Sequence, residues 1–272
     1  MDVTYDGVVN AQKEQGNVIR KTSLTFSDTF SKITGSTVYL KNEFEQKTGS
    51  FKLRGAYYKI KTLTEDERKK GVVAASAGNH AQGVAFAAAL EKISCTIVMP
   101  INASPAKVAA TRGYGATVIL EGKNYDESWI KAQEIAKTND ATIIHAFDDS
   151  QIISAQGVIG LEIIEQLPDV DEIYVPIGGG GLAAGILTAV KDKNPNVRII
   201  GVESKSFPSM KNSLDSGKIE TIDGGFTVAD GISVRTPGKQ TFEIIKNTIC
   251  LLYTSDAADD TPCVDLGGRR II

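Results

Sequence analysis

Only two histidines, His80 and His145, occur in the 272 residues, and no Gly-X-Ser-X-Gly stretch is present. A Ser-His-Asp triad or a histidine-built metal centre is therefore poorly supplied. The three cysteines, at 95, 250 and 263, form no Cys-X-X-Cys pair. Cys95 sits in an apolar run and reads as a buried thiol in a reducing compartment, not as part of a disulfide framework. The opening MDVTYDGVVNAQKEQG has no apolar centre, so no signal peptide is expected. No stretch approaches the length needed to cross a bilayer. The formal net charge is only −3, which argues against a nucleic-acid or membrane-surface partner. These absences leave a cytoplasmic globular protein, 42% hydrophobic and 23% charged, long enough for one large or two ordinary domains.

What is present is a series of short apolar runs: 38–44, 72–76, 95–100, 116–120, 141–147, 172–177 and 197–203. Most are continuously apolar rather than alternating, as in strands covered on both faces of a parallel sheet. Helical spacing fills the gaps, at 79–90, 104–112, 125–137, 156–167 and 182–191, and Ser104-Pro105 is a helix-start pair. This alternation predicts α/β architecture. Small and polar residues follow the strands (SAGN, INASP, GGGG, SKSFP), at the sheet edge where open parallel sheets bind ligands.

PIGGGGLAAG, 176–185, places four glycines between a strand and a helix. Gly178, Gly179, Gly180 and Gly181 allow several N–H groups to converge beside the positive end of a helix dipole, an arrangement suited to phosphate. A flexible turn is the plainer reading, but four glycines lose much entropy on ordering. A competing pattern shares the stretch: Gly178, Gly180 and Ala183 fit Gly-X-Gly-X-X-Ala, and Glu203 ends the next strand, as in a nicotinamide-dinucleotide site. That pattern leaves two further stretches unexplained.

One is SAGNHAQG, 76–83. Amides of Ser76, Ala77, Gly78, Asn79 and His80 at a helix start suit a carboxylate, and the Asn79 side chain can orient a ring substituent. Ordinary helix capping by Ser76 or Asn79 is the alternative. His80 reads as a hydrogen-bonded loop residue, not a base. The other is KTGSFKLRG, 47–55, where Lys52 lies between Phe51 and Leu53. A lone lysine of this kind is usually a surface residue with its stem on apolar neighbours. Desolvated in a pocket, its amine becomes a nucleophile toward aldehydes. A phosphate cradle, a carboxylate loop and such a lysine together call for an aldehyde-phosphate cofactor and an amino-acid substrate; pyridoxal 5'-phosphate satisfies this.

KTGSFKLRGA, SAGNHAQGVA, MPINASPAKVAATRGYGA, GLEIIEQL, VPIGGGGLAAG, ADGISV and RTPG resemble the serine/threonine dehydratases of the fold-type-II pyridoxal phosphate enzymes, from about residue 5 to about residue 249. Within that family the likeness is greatest to the catabolic threonine dehydratases. The resemblance implies a tryptophan-synthase-β-like α/β fold of two lobes, each a mostly parallel twisted sheet flanked by helices. The larger lobe is expected from 1–60 with 149–249, and the smaller from 61–148. It also implies that Lys52 holds the cofactor as a Schiff base and removes the substrate Cα proton, and that Phe51 packs on the cofactor ring. Asn79 bonds the 3′ oxygen, Gly178 to Gly181 bind the phosphate, and Gly231 borders the cofactor. Ser76, Ala77, Gly78, Asn79 and His80 take the substrate carboxylate. The implied reaction is α,β-elimination of threonine to 2-oxobutyrate and ammonia, or serine to pyruvate, in a homo-oligomer, dimer or tetramer. A serine racemase is the related alternative; there a serine stands where this chain has Ala77, which disfavours racemisation. Ser209 replaces an aspartate of the racemase cation site, so no tight metal site is expected.

After Ile249 the resemblance stops, and CLLYTSDAADDTPCVDLGGRRII looks like translated adapter sequence. Residues 250–272 are therefore expected to lie outside the fold. The family's pyridine-nitrogen contact lies in the segment this stretch replaces, so a chain that binds the cofactor without turning over is a further alternative.

Overall fold

In the computed structural model, residues 2–76, 78–255 and 270–271 are described. Helix α1 (Tyr5–Gln15) precedes β1 (Leu24–Phe26), α2 (Asp28–Thr34) and β2 (Thr37–Lys41). The Ser27 side chain accepts the Phe30 N–H to start α2, and Gly35 ends it at φ 69°. Next come α3 (Lys52–Lys61) and α4 (Glu65–Lys70), the latter opened by a reciprocal Thr64–Glu67 capping box. Strand and helix then alternate: β3 (Val72–Ala75), α5 (Asn79–Leu90), β4 (Cys95–Met99), α6 (Pro105–Gly113), β5 (Thr117–Leu120), α7 (Tyr125–Asn139) and β6 (Thr142–Ile143). The alternation continues through α8 (Ser150–Gln166), β7 (Glu172–Pro176), α9 (Gly181–Lys193), β8 (Arg198–Ser204) and α10 (Ser209–Ser216). After α11 (Lys239–Thr248) come β9 (Leu251–Ser255) and β10 (Arg270–Ile271). Each apolar run contributes a strand. The run at 141–147 contributes only two residues, because beyond them the carbonyls of Ile144 and Ala146 bond to side chains instead of a ladder.

The chain separates into two compact units. One comprises residues 1–12, 21–42 and 147–272 and holds a six-stranded sheet of order β1-β2-β10-β7-β8-β9. Its pairs are parallel except β1–β2. Ile153, Ile173, Ile177, Leu187 and Ile199 are buried in its core. Helices α8 and α9 meet backbone to backbone: a Cβ on Gly185 would lie 2.4 Å from the Ile153 carbonyl oxygen, and one on Gly157 would lie 2.7 Å from that of Gly185. Only glycine permits this approach.

The second unit, residues 13–20 and 43–146, holds an all-parallel four-stranded sheet of order β5-β4-β3-β6. Val73, Ala75, Val98, Ala132 and Ala136 form one core cluster, covered by Tyr125, Trp129 and Ile143. Residues 43–60, expected with the larger lobe, group here. The reason is packing: a Cβ on Gly83 of α5 would stand 3.2 Å from Lys52 C and Leu53 N of α3, so the two helices touch through backbone. Arg54 of α3 also donates to Glu43 at 2.7 and 2.8 Å and to the Arg20 carbonyl at 3.2 Å.

Residues 251–255 correct the expectation that nothing after Ile249 joins the fold. They pair in parallel with β8, Leu251 opposite Ile200 through Ser255 opposite Ser204. The open edge of β8 presents N–H and C=O groups that need partners, and Leu-Leu-Tyr-Thr is strand-prone whatever its origin. The stretches 256–269 and 272 lie outside the described residues.

Candidate active site

Lys52 is the first residue of α3. Its side chain is half-buried, and its Nζ donates to the Ala146 carbonyl at 2.8 Å. Nζ also lies 5.4 Å from the centroid of the Phe51 ring. Burial without a carboxylate partner penalises the ammonium and lowers its pKa from 10.5 to about 8. Near neutral pH such an amine is uncharged for a useful fraction of the time, as a nucleophile or base requires.

Asn79 and His80 open α5 from the edge of β3. The Asn79 amide makes no hydrogen bond among the described residues, which leaves it free to orient a ligand. His80 is buried, and its Nε2 meets the Ile144 carbonyl at 2.9 Å. A carbonyl can only accept, so Nε2 carries the proton and Nδ1 is bare. Burial first, and the Lys52 charge second, push the imidazole pKa down to about 3. His80 is thus neutral and holds the Ile144 carbonyl, a hydrogen-bonded residue as expected but in the first turn of α5 and not in a loop. The Ser76 hydroxyl accepts the Gly78 N–H at 3.2 Å, a local turn bond. Ala77, assigned to the carboxylate loop and to the argument against racemisation, lies outside the described residues.

The glycine loop is built as the first unit's close-approach point. Gly180 has φ 94° and precedes α9. A Cβ on Gly179 would fall 2.4 Å from three ring carbons of Phe147, and one on Gly181 would fall 2.8 Å from the Phe147 carbonyl oxygen. One on Gly180 would strike Thr241 at 2.8 Å and Met210 Cε at 2.9 Å. The Gly179 carbonyl accepts from the Thr241 hydroxyl at 2.6 Å and from the Gly238 N–H at 3.3 Å. The amides of Gly178, Gly179 and Gly180 find no acceptor among the described residues. Such N–H groups at a helix start suit an anion, and the loop fits a phosphate.

Two sequence candidates sit differently. Gly231 is exposed, with nothing within 4 Å of a Cβ placed there. From the same turn it is Ile232 and Val234 that border Gly178, at 3.1 and 3.0 Å from a Cβ placed on it. Glu203 is almost wholly buried, and its oxygens accept the Met210 and Lys211 N–H groups, each at 2.8 Å. Burial raises its pKa to about 7 in spite of those two donors. Both oxygens are thus turned onto α10, not toward a ribose. Ser209 donates to the Val234 carbonyl at 2.8 Å. Phe147, Thr241 and Met210 were not singled out from sequence, because their part is to shape the loop and no local motif marks that.

The second unit carries a desolvated lysine and the first a glycine loop with outstanding amides; the class these features suit is that of enzymes using an aldehyde-phosphate cofactor. The chain belongs to the pyridoxal-phosphate dependent enzyme family, whose profile matches residues 16–259, and it has that family's type II fold. It is 50% identical over 247 residues to an L-threonine ammonia-lyase of Thermotoga maritima, covering 91% of this chain and 62% of that one. It is 49% identical over 232 residues to an L-threonine dehydratase catabolic TdcB of Staphylococcus aureus, covering 85% and 67%. The chain thus spans about three fifths of the length of the Thermotoga relative. Among solved structures, the processed threonine deaminase isoform 2 of Solanum lycopersicum superposes with a TM-score of 0.88 at 38% identity, over 92% of this chain and 70% of that one. Maize serine racemase gives 0.91 at 33% identity, over 95% and 78%. Family membership, with Glu203 engaged on α10, sets aside the dinucleotide reading.

Proposed function

We propose that the protein is a pyridoxal-phosphate-dependent ammonia-lyase that eliminates water from L-threonine, giving 2-oxobutyrate and ammonia, and acts likewise on L-serine. The observation that carries this is the Lys52 amine, desolvated to a pKa of about 8 with the Ala146 carbonyl as its one hydrogen-bond partner among the described residues. Support comes from relatives named for the reaction at 48–50% identity. When bound, the cofactor supplies an electron sink for charge developing at the substrate Cα.

In this reading Lys52 anchors the cofactor aldehyde, then acts as the base that takes the Cα proton. Phe51 gives the amine an apolar wall. The outstanding amides of Gly178, Gly179 and Gly180, with Gly181 at the head of α9, hold the phosphate. The Asn79 amide orients the ring oxygen. The backbone at Ser76, Ala77, Gly78, Asn79 and His80 holds the carboxylate and so fixes which Cα bond faces Lys52. With Glu203 and Ser209 committed to α10 and Val234, we assign no tight divalent-cation site.

We read the enzyme as cytoplasmic and homo-oligomeric, a dimer or tetramer. Among the described residues no helix is long and apolar enough to cross a membrane. The exposed Phe26, Phe30, Ile33 and Leu40 of the first unit are apolar surface that a second copy could cover. Light scattering tests the oligomer; a monomer at micromolar concentration would contradict it. For the activity, an absorbance scan with pyridoxal phosphate should show an imine band that Lys52→Ala abolishes. Threonine should then release ammonia and 2-oxobutyrate. A band that survives in Lys52→Ala, or a loaded wild-type chain that leaves threonine intact, rejects this function.

A further inference from the structure

We propose that Asp148 is a positioning residue for phosphate binding: it holds the first turn of α11 against the glycine loop and so aims the Gly180 N–H. The inference rests on reading 178–181 as the phosphate cradle.

Asp148 Oδ2 accepts the Lys239 N–H at 2.9 Å. Its Oδ1 accepts Gln240 N–H at 2.9 Å and Thr241 N–H at 3.3 Å. The leading amides of α11, which have no acceptor within their own helix, thus end on one carboxylate. Its charge also complements the helix dipole. The approach is close: a Cβ on Gly238, the residue before α11, would lie 2.5 Å from Asp148 Cγ and Oδ1.

This anchored turn presents two donors to the loop, the Thr241 hydroxyl and the Gly238 N–H, and both bond the Gly179 carbonyl. A trans peptide is planar, with its C=O and the next N–H pointing opposite ways. Fixing the Gly179 carbonyl on α11 therefore turns the Gly180 N–H to the far side of the loop, where it has no acceptor among the described residues. Phe147, the neighbour of Asp148, braces Gly179 with its ring and Gly181 with its carbonyl. One dipeptide thus holds the loop twice, through the ring directly and through the carboxylate by way of α11. Asp149 carries on the same economy by capping α8 through Gln151 and Ile152.

The test compares pyridoxal phosphate with pyridoxal, which lacks the phosphate but still forms an imine with Lys52. Dissociation constants from the imine absorbance are measured for wild type, Asp148→Ala and Thr241→Val, with thermal protection by inorganic phosphate as a readout independent of imine formation and of turnover. Asp148→Ala is expected to weaken pyridoxal phosphate about tenfold or more, leave pyridoxal within about twofold, and lose the phosphate protection. Thr241→Val, which exchanges the hydroxyl for a methyl of similar size, should show the same phosphate-selective loss even if Asp148→Ala fails to fold. Equal weakening of both ligands in Thr241→Val, or no weakening of either, overturns the inference while leaving the cradle standing. A wild-type chain that binds pyridoxal as tightly as pyridoxal phosphate overturns the cradle reading, and the inference with it.

Discussion

Replacing Glu43 by alanine should strip a two-pronged carboxylate partner from the fully buried side chain of Arg54. The pair is two-pronged, with Nε and one terminal nitrogen on separate carboxylate oxygens at 2.8 and 2.7 Å. The Arg54 side chain is 0% exposed and that of Glu43 14%. Removing that carboxylate from a buried guanidinium is expected to cost about 3–5 kcal/mol. At roughly 2–4 °C per kcal/mol, the melting midpoint should fall by about 6–20 °C. Arg54→Met removes the charge that needs compensation, so adding it to Glu43→Ala should recover stability, not lose more. The assay is urea unfolding followed by the fluorescence of Trp129, the single tryptophan, which lies in the same unit as the pair. Loss below about 1 kcal/mol in Glu43→Ala, or strict additivity in the double variant, would refute the reasoning. The consequence reaches the site, since Arg54 lies two residues from Lys52 in the same helix.

Amine acylation at Lys52, read by peptide mass spectrometry, should reach half its limiting rate near pH 8, whereas an exposed lysine does so near 10.5; a midpoint above 10 would contradict the burial argument. Because the unfolded chain keeps this proton up to about 10.5 and the folded chain releases it near 8, the Lys52 contribution to stability should rise with pH across that window. Lys52→Met should flatten that rise in melts taken at pH 7.5–10.5 (rough bounds on the window); an unchanged slope would speak against it. Gly179→Ala places a methyl against the Phe147 ring and is expected to cost about 1–3 kcal/mol, with lost phosphate protection, both read by thermal melts. Gly185→Ala collides with the Ile153 carbonyl and should destabilise the α8–α9 contact by a similar amount, with no selectivity between pyridoxal and its phosphate.

The strands were legible because burial on both faces leaves a largely apolar run, as at 95–100, and the helices from their apolar spacing, although the start of α8 at Ser150, capped by Asp149, lies six residues before the expected 156. The glycine run stands out in the sequence because four successive glycines lose much entropy on ordering, and the structure adds a packing reason: a Cβ on Gly179, Gly180 or Gly181 would collide with Phe147, Thr241 or Met210. The contact of Ile232 and Val234 with Gly178 was not legible, because a three-residue turn has no period from which to read which residues meet the loop. The β9 pairing was missed because it depends on the open edge of β8, which a reading of 251–255 alone does not contain.

By itself, then, the sequence determined the α/β alternation, the family and the cofactor class. Only the tertiary structure decided which unit carries Lys52, that burial lowers its pKa, that His80 is a neutral clamp, and that Phe147, Asp148 and Thr241 shape the glycine loop. Those outcomes depend on distances between residues up to about ninety positions apart, 148 to 241 among them, and such separations are set by packing, not by local pattern.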